Sequence, residues 1–335
     1  MFNKISKKLK SQNELVNKIE IPEQIQTIKY GKKFEKVNAN LIAPRFKEVK
    51  GERFNIYYDD KPHLYFLQIQ DKRTPLISVT TLIELFGTEF NEDEMSTHCA
   101  RKEDYNCDYL DKRNWEYQSI WQRKNQILKA WKTNNQIANY YGTVVHAAME
   151  TTVTYLNVPT WEIYKYITQR YQYQLEIIKS YIDELKSFLR IHYTGKHFQL
   201  IAEPIVFCLE IMAVGQSDLV IIDHLHKKIH ILDYKTNKNK PGTERVFNKM
   251  NYPFQKMDDV NLSHYKIQLR LYQRFLLKQY PDYTAGDLII LWMNRETGKI
   301  ESIHIDFMEY DSYIDILYNQ MKKIKNKIFY SNNII

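Results

Sequence analysis

Between Asp218 and Lys235 two carboxylates and a lysine stand at the spacing of a single β-hairpin. The stretch runs Gly215-Gln216-Ser217-Asp218-Leu219-Val220-Ile221-Ile222-Asp223, crosses a polar turn at His224–Lys227, and returns as Lys228-Ile229-His230-Ile231-Leu232-Asp233-Tyr234-Lys235-Thr236. Apolar runs rich in Val and Ile on either side of a polar break predict strand, turn, strand. With a four-residue loop Asp223 pairs with Lys228, and counting outward sets Asp218 opposite Asp233. Directly opposed side chains on one face lie roughly 4.5–5.5 Å apart at Cβ. Like charges that close repel, and a divalent cation held by oxygen ligands is the simplest object that would relieve them. Lys235, two residues beyond Asp233, shares its face of the strand. The competing reading is a solvated hairpin, because charged side chains mostly stay in water. The apolar runs Leu219–Ile222 and Ile229–Leu232 look like interior sheet and count against it. A three-residue loop would shift the register and put the two carboxylates on different faces.

Other polar groups recur at helical or strand spacing. In Gly142-Thr143-Val144-Val145-His146-Ala147-Ala148-Met149-Glu150, His146 and Glu150 are four apart on one helical face. A neutral imidazole is a good metal ligand, and a carboxylate one turn away can orient it, although a helical histidine is more often structural. Glu203 ends a predicted strand fifteen residues before Asp218. Gln268 and Tyr272 are again four apart, with Tyr265 nearby. A glutamine and an aromatic suit a phosphate, sugar or base, while an aromatic at helical spacing is more often core. There is no Gly-rich phosphate loop, no Ser-His-Asp arrangement and no Cys–His zinc spacing.

The elements that must carry these residues can be outlined from patterning. Strands are expected from Phe54 to Thr80 with turns at Asp59–Pro62 and Asp71–Pro75, then a short helix capped by Thr80 or Thr81. A helix from Asn91 to about Tyr109 follows, with Glu92, Asp93 and Glu94 in its first turn. Trp115 to about Tyr155 reads as a long helix interrupted near Gly142, and Tyr171 to about His192 as another. Strands at Phe198–Glu203 and Ile205–Val214 lead into the hairpin. A long loop, a helix from Leu262 to about Tyr280, strands at Asp287–Asn294 and Lys299–Phe307, and a helix from Asp311 to Ile328 complete the order. The domains expected are a basic flexible arm at 1–50 with a short helix or two, a β-hairpin and helical extension at 51–130, and an α/β core at 131–335.

Composition bounds what this core serves. At 335 residues the chain can bury a sizeable interior. No apolar run approaches the roughly 18 residues of a membrane span, and the start Met1-Phe2-Asn3-Lys4-Ile5-Ser6-Lys7-Lys8 lacks the apolar core of a secretory signal. Three widely spaced cysteines point to reduced intracellular thiols, and fall short of the four an iron–sulfur cluster needs. The net charge of +8 is uneven: residues 1–50 hold 12 Lys or Arg against 5 acids, the rest 36 against 35. Such an arm is drawn to polyanions, and is equally consistent with a solvated tail.

Taken in order, Gly142-Thr143-x-x-His146 with Glu150, Glu203, Gly215-x-x-Asp218, Asp233-x-Lys235-Thr236 and Gln268-x-x-x-Tyr272 resemble the PD-(D/E)XK nuclease superfamily and, within it, the RecB-type exonucleases. The lead-in Ile77-Ser78-Val79-Thr80-Thr81-Leu82 is similar to mitochondrial genome-maintenance exonucleases and viral relatives. The resemblance implies a restriction-endonuclease-like core, a central mixed β-sheet flanked by helices, behind an N-terminal α+β extension. It implies Mg²⁺- or Mn²⁺-dependent cleavage of DNA in replication, repair or recombination. By the same resemblance Asp218, Asp233 and His146 hold the metal with the Tyr234 main-chain carbonyl, and Glu203 sits at the edge of that cluster. Lys235 positions or activates the attacking water, Gln268, Tyr272, Thr236 and Thr143 contact the nucleic acid, and Glu150, Gly142 and Gly215 support the site.

Two other functions compete with an exonuclease acting on single-stranded or frayed ends. One is a structure-specific endonuclease or RNA-cutting relative. The other is a nucleic-acid-binding scaffold on an inactive nuclease fold, against which the presence of Asp218, Asp233 and Lys235 together counts.

Overall fold

Period-two patterning carries through into the folded hairpin. A computed structural model describes residues 2–17, 26–27, 46–51, 53–59, 64–173, 175–306 and 310–325. In it β9 (Leu219–Asp223) pairs antiparallel with β10 (Lys228–Lys235), Asp223 opposite Lys228 and Leu219 opposite Leu232, as the four-residue loop requires. β6 (Phe198–Ala202) adds to β9, β11 (Thr284–Met293) joins β10 in parallel, and β12 (Ile300–His304) closes the far edge. The result is a five-stranded mixed sheet in the order β12-β11-β10-β9-β6.

A parallel pair needs a crossover, here the loop after Lys235 and α7 (Asn261–Gln279). α7 and α8 (Asp311–Lys325) cover one face, packing on Val220, Ile222, Ile229 and Ile231. Arg270 clamps the two helices by donating to both carboxylate oxygens of Asp311, at 2.8 and 2.6 Å. The other face carries α4 (Ile120–Thr154), α5 (Thr160–Tyr171) and α6 (Ile177–His192), packed on Leu219, Ile221, Leu232 and Tyr234. These helices and sheet form the expected core, a central mixed sheet flanked by helices.

The N-terminal part builds a second sheet from β1 (Gln26–Thr27), β2 (Phe46–Lys50), β3 (Asn55–Asp59), β4 (Leu64–Ile69) and β5 (Lys72–Ser78). It continues into β8 (Ala213–Gln216) and β7 (Ile205–Cys208), because β5 pairs in parallel with β8, Ile77 opposite Ala213 and Ser78 opposite Val214. The boundary expected between 130 and 131 falls inside α4.

Several expectations need correction. A short helix expected in the arm is present as α1 (Phe2–Val16), but it is packed and not loose, inserting Ile5 and Leu9 into the core against the N-terminal sheet. The rest of the arm, at 18–25 and 28–45, lies outside the described residues, as does most of the turn at 60–63. Ser78, not Thr80 or Thr81, caps α2 (Val79–Glu84), its Oγ accepting from Thr81 N at 3.0 Å. α3 (Glu92–Ala100) has the expected Asn91 cap but stops nine residues short of Tyr109. α4 runs unbroken through Gly142, started by a capping box of Ser119 and Gln122. The helix expected from Tyr171 starts only at Ile177 as α6, because Gln172 takes a left-handed φ of 51° where α5, a helix not expected from patterning, ends. Ile205–Val214 is likewise a hairpin, turning at Met212 with φ 53°.

The β10–β11 ladder shifts register between Ile229 and Ile231. A register shift leaves main-chain groups without ladder partners. The fully buried Gln273 of α7 donates from Nε2 to both Ile229 O and Gly286 O at 2.9 Å, and its Oε1 accepts from Arg270. Gln273→Ala strands both carbonyls and is expected to destabilise the fold by about 2–4 kcal/mol. The check is a lower midpoint in urea unfolding at unchanged slope.

Candidate active site

On β10, Ile229 and Ile231 face α7 while Leu232 and Tyr234 face α4 and α6. Alternation therefore puts Asp233 and Lys235 on the α7 side. Asp218 stands one residue before β9, opposite Asp233 if the register is continued, and on the same side as Val220 and Ile222. Its Oδ2 accepts the Tyr234 N–H at 2.6 Å, its Oδ1 lies 3.2 Å from His146 Nδ1, and its carbonyl accepts the Glu203 N–H at 2.9 Å. His146 comes from α4, its ring edge-on to Tyr234 with centroids 6.0 Å apart. Asp233 is 3% exposed, and Lys235 Nζ approaches its Oδ2 to 2.6 Å. The two groups form a buried ion pair.

The protonation states follow from this crowding. Burial pushes the Asp233 carboxyl up to about 6; Lys235 opposes the rise and Asp218 adds to it. Burial acts the same way on Asp218, but the charges of His146 and Lys235 and the Tyr234 N–H outweigh it and hold that carboxyl low. Burial disfavours charge on His146 and on Lys235. The carboxylates overcome it in both, raising His146 through Asp218 and Lys235 through Asp233 and Asp218. Lys235 is therefore an ammonium at neutral pH.

Residues beyond β10 hold that ammonium in place. Lys235 Nζ sits 4.3 Å from the centre of the Tyr265 ring, and Tyr265 Oη donates to Asn237 Oδ1 at 3.1 Å. Trp292 Nε1 donates to Asn237 O at 2.9 Å, while Arg295 gives two hydrogen bonds to Thr236 O and stacks 4.0 Å over Tyr141. A Cβ at Gly142 would come within 3.3 Å of Thr236 Oγ1, so glycine lets α4 lie close to the end of β10.

On the other flank, buried Gln268 donates from Nε2 to Tyr272 Oη at 3.0 Å. The Tyr272 ring occupies the space of a side chain at Gly215, where a Cβ would meet Cε1 at 2.5 Å. Buried Glu203 has φ 46° and accepts from Gln216 Nε2 at 2.6 Å. A cleft of about 220 Å³ is lined by His146, Glu203, Gly215, Gln216, Asp218, Gln268 and Tyr272 together with residues of the N-terminal sheet and α2. Six of the predicted residues thus line one cleft, Asp233 and Lys235 adjoin it through Asp218, and two others are not drawn in. Thr143 is exposed and its hydroxyl donates to Asn139 O, and Glu150 lies one helical turn past His146, outside the cleft lining. Sequence reasoning noted Tyr265 only as a neighbour of Gln268, although three-residue spacing on α7 placed it on that face. It missed Asn237, two residues after Lys235, and Gln216, two residues before Asp218.

Two carboxylates and an imidazole are a donor set for a hard divalent cation. Asp233 Oδ2, paired with Lys235, and the carboxylate of Asp218 are its oxygen sources. Among the described residues no three of His, Cys, Asp and Glu form a ready cation cluster. As arranged, Lys235 supplies the positive charge at Asp233 and His146 at Asp218.

The sequence model of the PD-(D/E)XK nuclease superfamily matches residues 113–332, and the chain belongs to that superfamily. Its nucleases use divalent metals, usually Mg²⁺ or Mn²⁺. No curated protein matches the chain. Among solved structures it is similar to the crystal structure of SSO0001 over 55% of this chain and 73% of that one, at 14% identity and a TM-score of 0.23. A likeness at that level carries no argument. Among the described residues no helix is long and apolar enough to cross a membrane.

A desolvated cation–π contact is worth about 2 kcal/mol. Tyr265→Leu is therefore expected to slow single-turnover nucleic-acid hydrolysis in Mg²⁺ about thirtyfold, by the conversion of 1.36 kcal/mol to tenfold. Tyr265→Phe keeps the ring and should stay within about threefold of the parent rate.

Proposed function

We propose that this chain is a divalent-metal-dependent DNA exonuclease that hydrolyses phosphodiester bonds from the ends of single-stranded or frayed DNA. The observation that carries the reading is the convergence of Asp218, Asp233 and charged Lys235 on one side of the β9–β10 hairpin. A Mg²⁺ or Mn²⁺ ion held by the two carboxylates, with His146 beside them, would lower the pKa of bound water and act as a Lewis acid on the phosphate.

The chain's own groups do the rest. With its proton held by two carboxylates, Lys235 is a poor base. Its role is to orient the attacking water by N–H donation and to offset the charge that grows on phosphate oxygens, where a fixed cation in a dry site is most effective. Tyr265 and Asp233 fix the ammonium between ring and carboxylate. The Tyr234 N–H and His146 hold Asp218 from two directions. Gln268 and Tyr272 face the strand from α7, and the basic N-terminal residues add a salt-sensitive attraction for the polyanion.

The test is incubation of end-labelled linear DNA, blocked-end DNA and closed circles with Mg²⁺, Mn²⁺ or EDTA. Linear strands should lose label only with metal, and circles should persist. Cutting of circles would make the enzyme an endonuclease, and binding without cutting would make it a scaffold. Lys235→Ala is expected to reduce hydrolysis about 10²–10³-fold, the usual cost of one preorganised charge donor, with binding of the same DNA largely retained. A Lys235→Ala enzyme that cuts at the parent rate overturns the assignment.

A further inference from the structure

The cleft beside the acids has a wall that the proposed chemistry does not explain. Tyr58 on β3 and Tyr65 on β4 face each other across the ladder, rings stacked with centroids 4.4 Å apart at 22°. Together with Ser78, Val79 and Thr80 they line the cleft that Asp218, His146, Glu203 and Gln216 also line. Tyr65 lies near enough to Tyr272 to act on its ionisation, so this wall reaches the Gln268–Tyr272 pair. Ser78 Oγ and Thr80 Oγ1 lie 3.0 Å apart on the same side. Asp233 and Lys235 are not among the lining residues. The cleft therefore extends to one side of the position where a scissile phosphate would sit.

Three properties restrict its occupant. Its volume of about 220 Å³ is below the roughly 300–1,000 Å³ of pockets for drug-sized ligands, so it takes one unpaired nucleoside and no duplex. Its polar lining is rich in hydroxyls and amides, which both donate and accept and so suit sugar oxygens and base edges. No Lys or Arg lines it; beyond Asp218 and His146, which the cation would engage, its remaining ionisable side chain apart from the tyrosines is the carboxylate of Glu203. A terminal phosphate, with its extra negative charge, is repelled there, and a terminal hydroxyl is not.

We propose that this cleft is the subsite for the last nucleoside of a single strand ending in a free hydroxyl, and that the N-terminal sheet is the stop against which that end rests. The inference rests on the nuclease reading and adds what selects the end. An internal stretch of strand has no end to seat, and a paired end cannot enter.

The experiment compares linear single-stranded oligodeoxynucleotides ending in hydroxyl or in phosphate, at the 5′ or the 3′ terminus, with a single-stranded circle, in Mg²⁺. At the terminus attacked, the hydroxyl form should show a kcat/KM about tenfold above the phosphate form, the order expected for one unmet polar or charged contact. The double variant Tyr58→Phe/Tyr65→Phe, with folding checked by urea unfolding, should raise KM for the hydroxyl-ended strand about tenfold and leave kcat nearly unchanged. Thr80→Val, on an exposed residue, should raise KM in the same direction should the double variant fail to fold. Digestion with equal kcat/KM for both ends and unchanged KM in the variants overturns the subsite and leaves the nuclease standing. No metal-dependent cleavage of any strand by the parent enzyme, under conditions where it binds them, overturns the nuclease and the subsite with it.

Discussion

Two carboxylates held close together inside a protein are unstable unless positive charge is supplied, and this requirement organises the region around β9 and β10. Hairpin register and strand alternation bring Asp218 and Asp233 to one side of the sheet. Lys235 and His146 then neutralise what the backbone has forced together, and the Tyr234 N–H completes the hold on Asp218. The two acids end up in different states. Asp218 is held ionised by its neighbours, while Asp233, deeper and beside a like charge, retains its proton to about pH 6. An arriving divalent cation would thus meet one carboxylate already prepared and one that must exchange an ammonium for it.

The scaffold serves that arrangement from both faces. α7 brings Tyr265, Gln268 and Tyr272 to the site on one stripe and uses the next buried residue, Gln273, to satisfy the irregular ladder beneath. α4 delivers His146 from the opposite layer, and its close approach depends on a missing side chain at Gly142. Gly215 serves the same purpose for the Tyr272 ring. The functional groups are local in sequence only within each motif; their convergence is a property of the two layers.

How much of this was legible depended on the kind of signal. The β9–β10 hairpin and its register could be read because period-two alternation and a polar turn are local. α7 and the family-ordered motifs were visible for similar reasons, and Asn91 announced its helix. The hairpin of β7 and β8 was hidden because Ile205 to Val214 contains no Gly, Pro or Asn to mark the turn. The packing of α1 onto the N-terminal sheet was not legible because its lysines mask two core positions, Ile5 and Leu9. Gly142 read as a break although a long helix with good flanking packing tolerates one glycine at a cost of about 1 kcal/mol. The wall formed by Tyr58 and Tyr65 had no local signal at all, since its partners lie more than eighty residues further along the chain.

The parallel pairing of β5 with β8 has a consequence for how the molecule can be divided. β8 ends at Gln216, two residues before Asp218, so the ladder that ties down the early strands also fixes the approach to an acidic residue of the core. Removing the early region would turn β8 into an open sheet edge with unmet main-chain groups and loosen the segment that aims Asp218. The amino-terminal portion is thus part of the framework of the chemistry, and the core is not a module that can be cut out and carried to another protein intact.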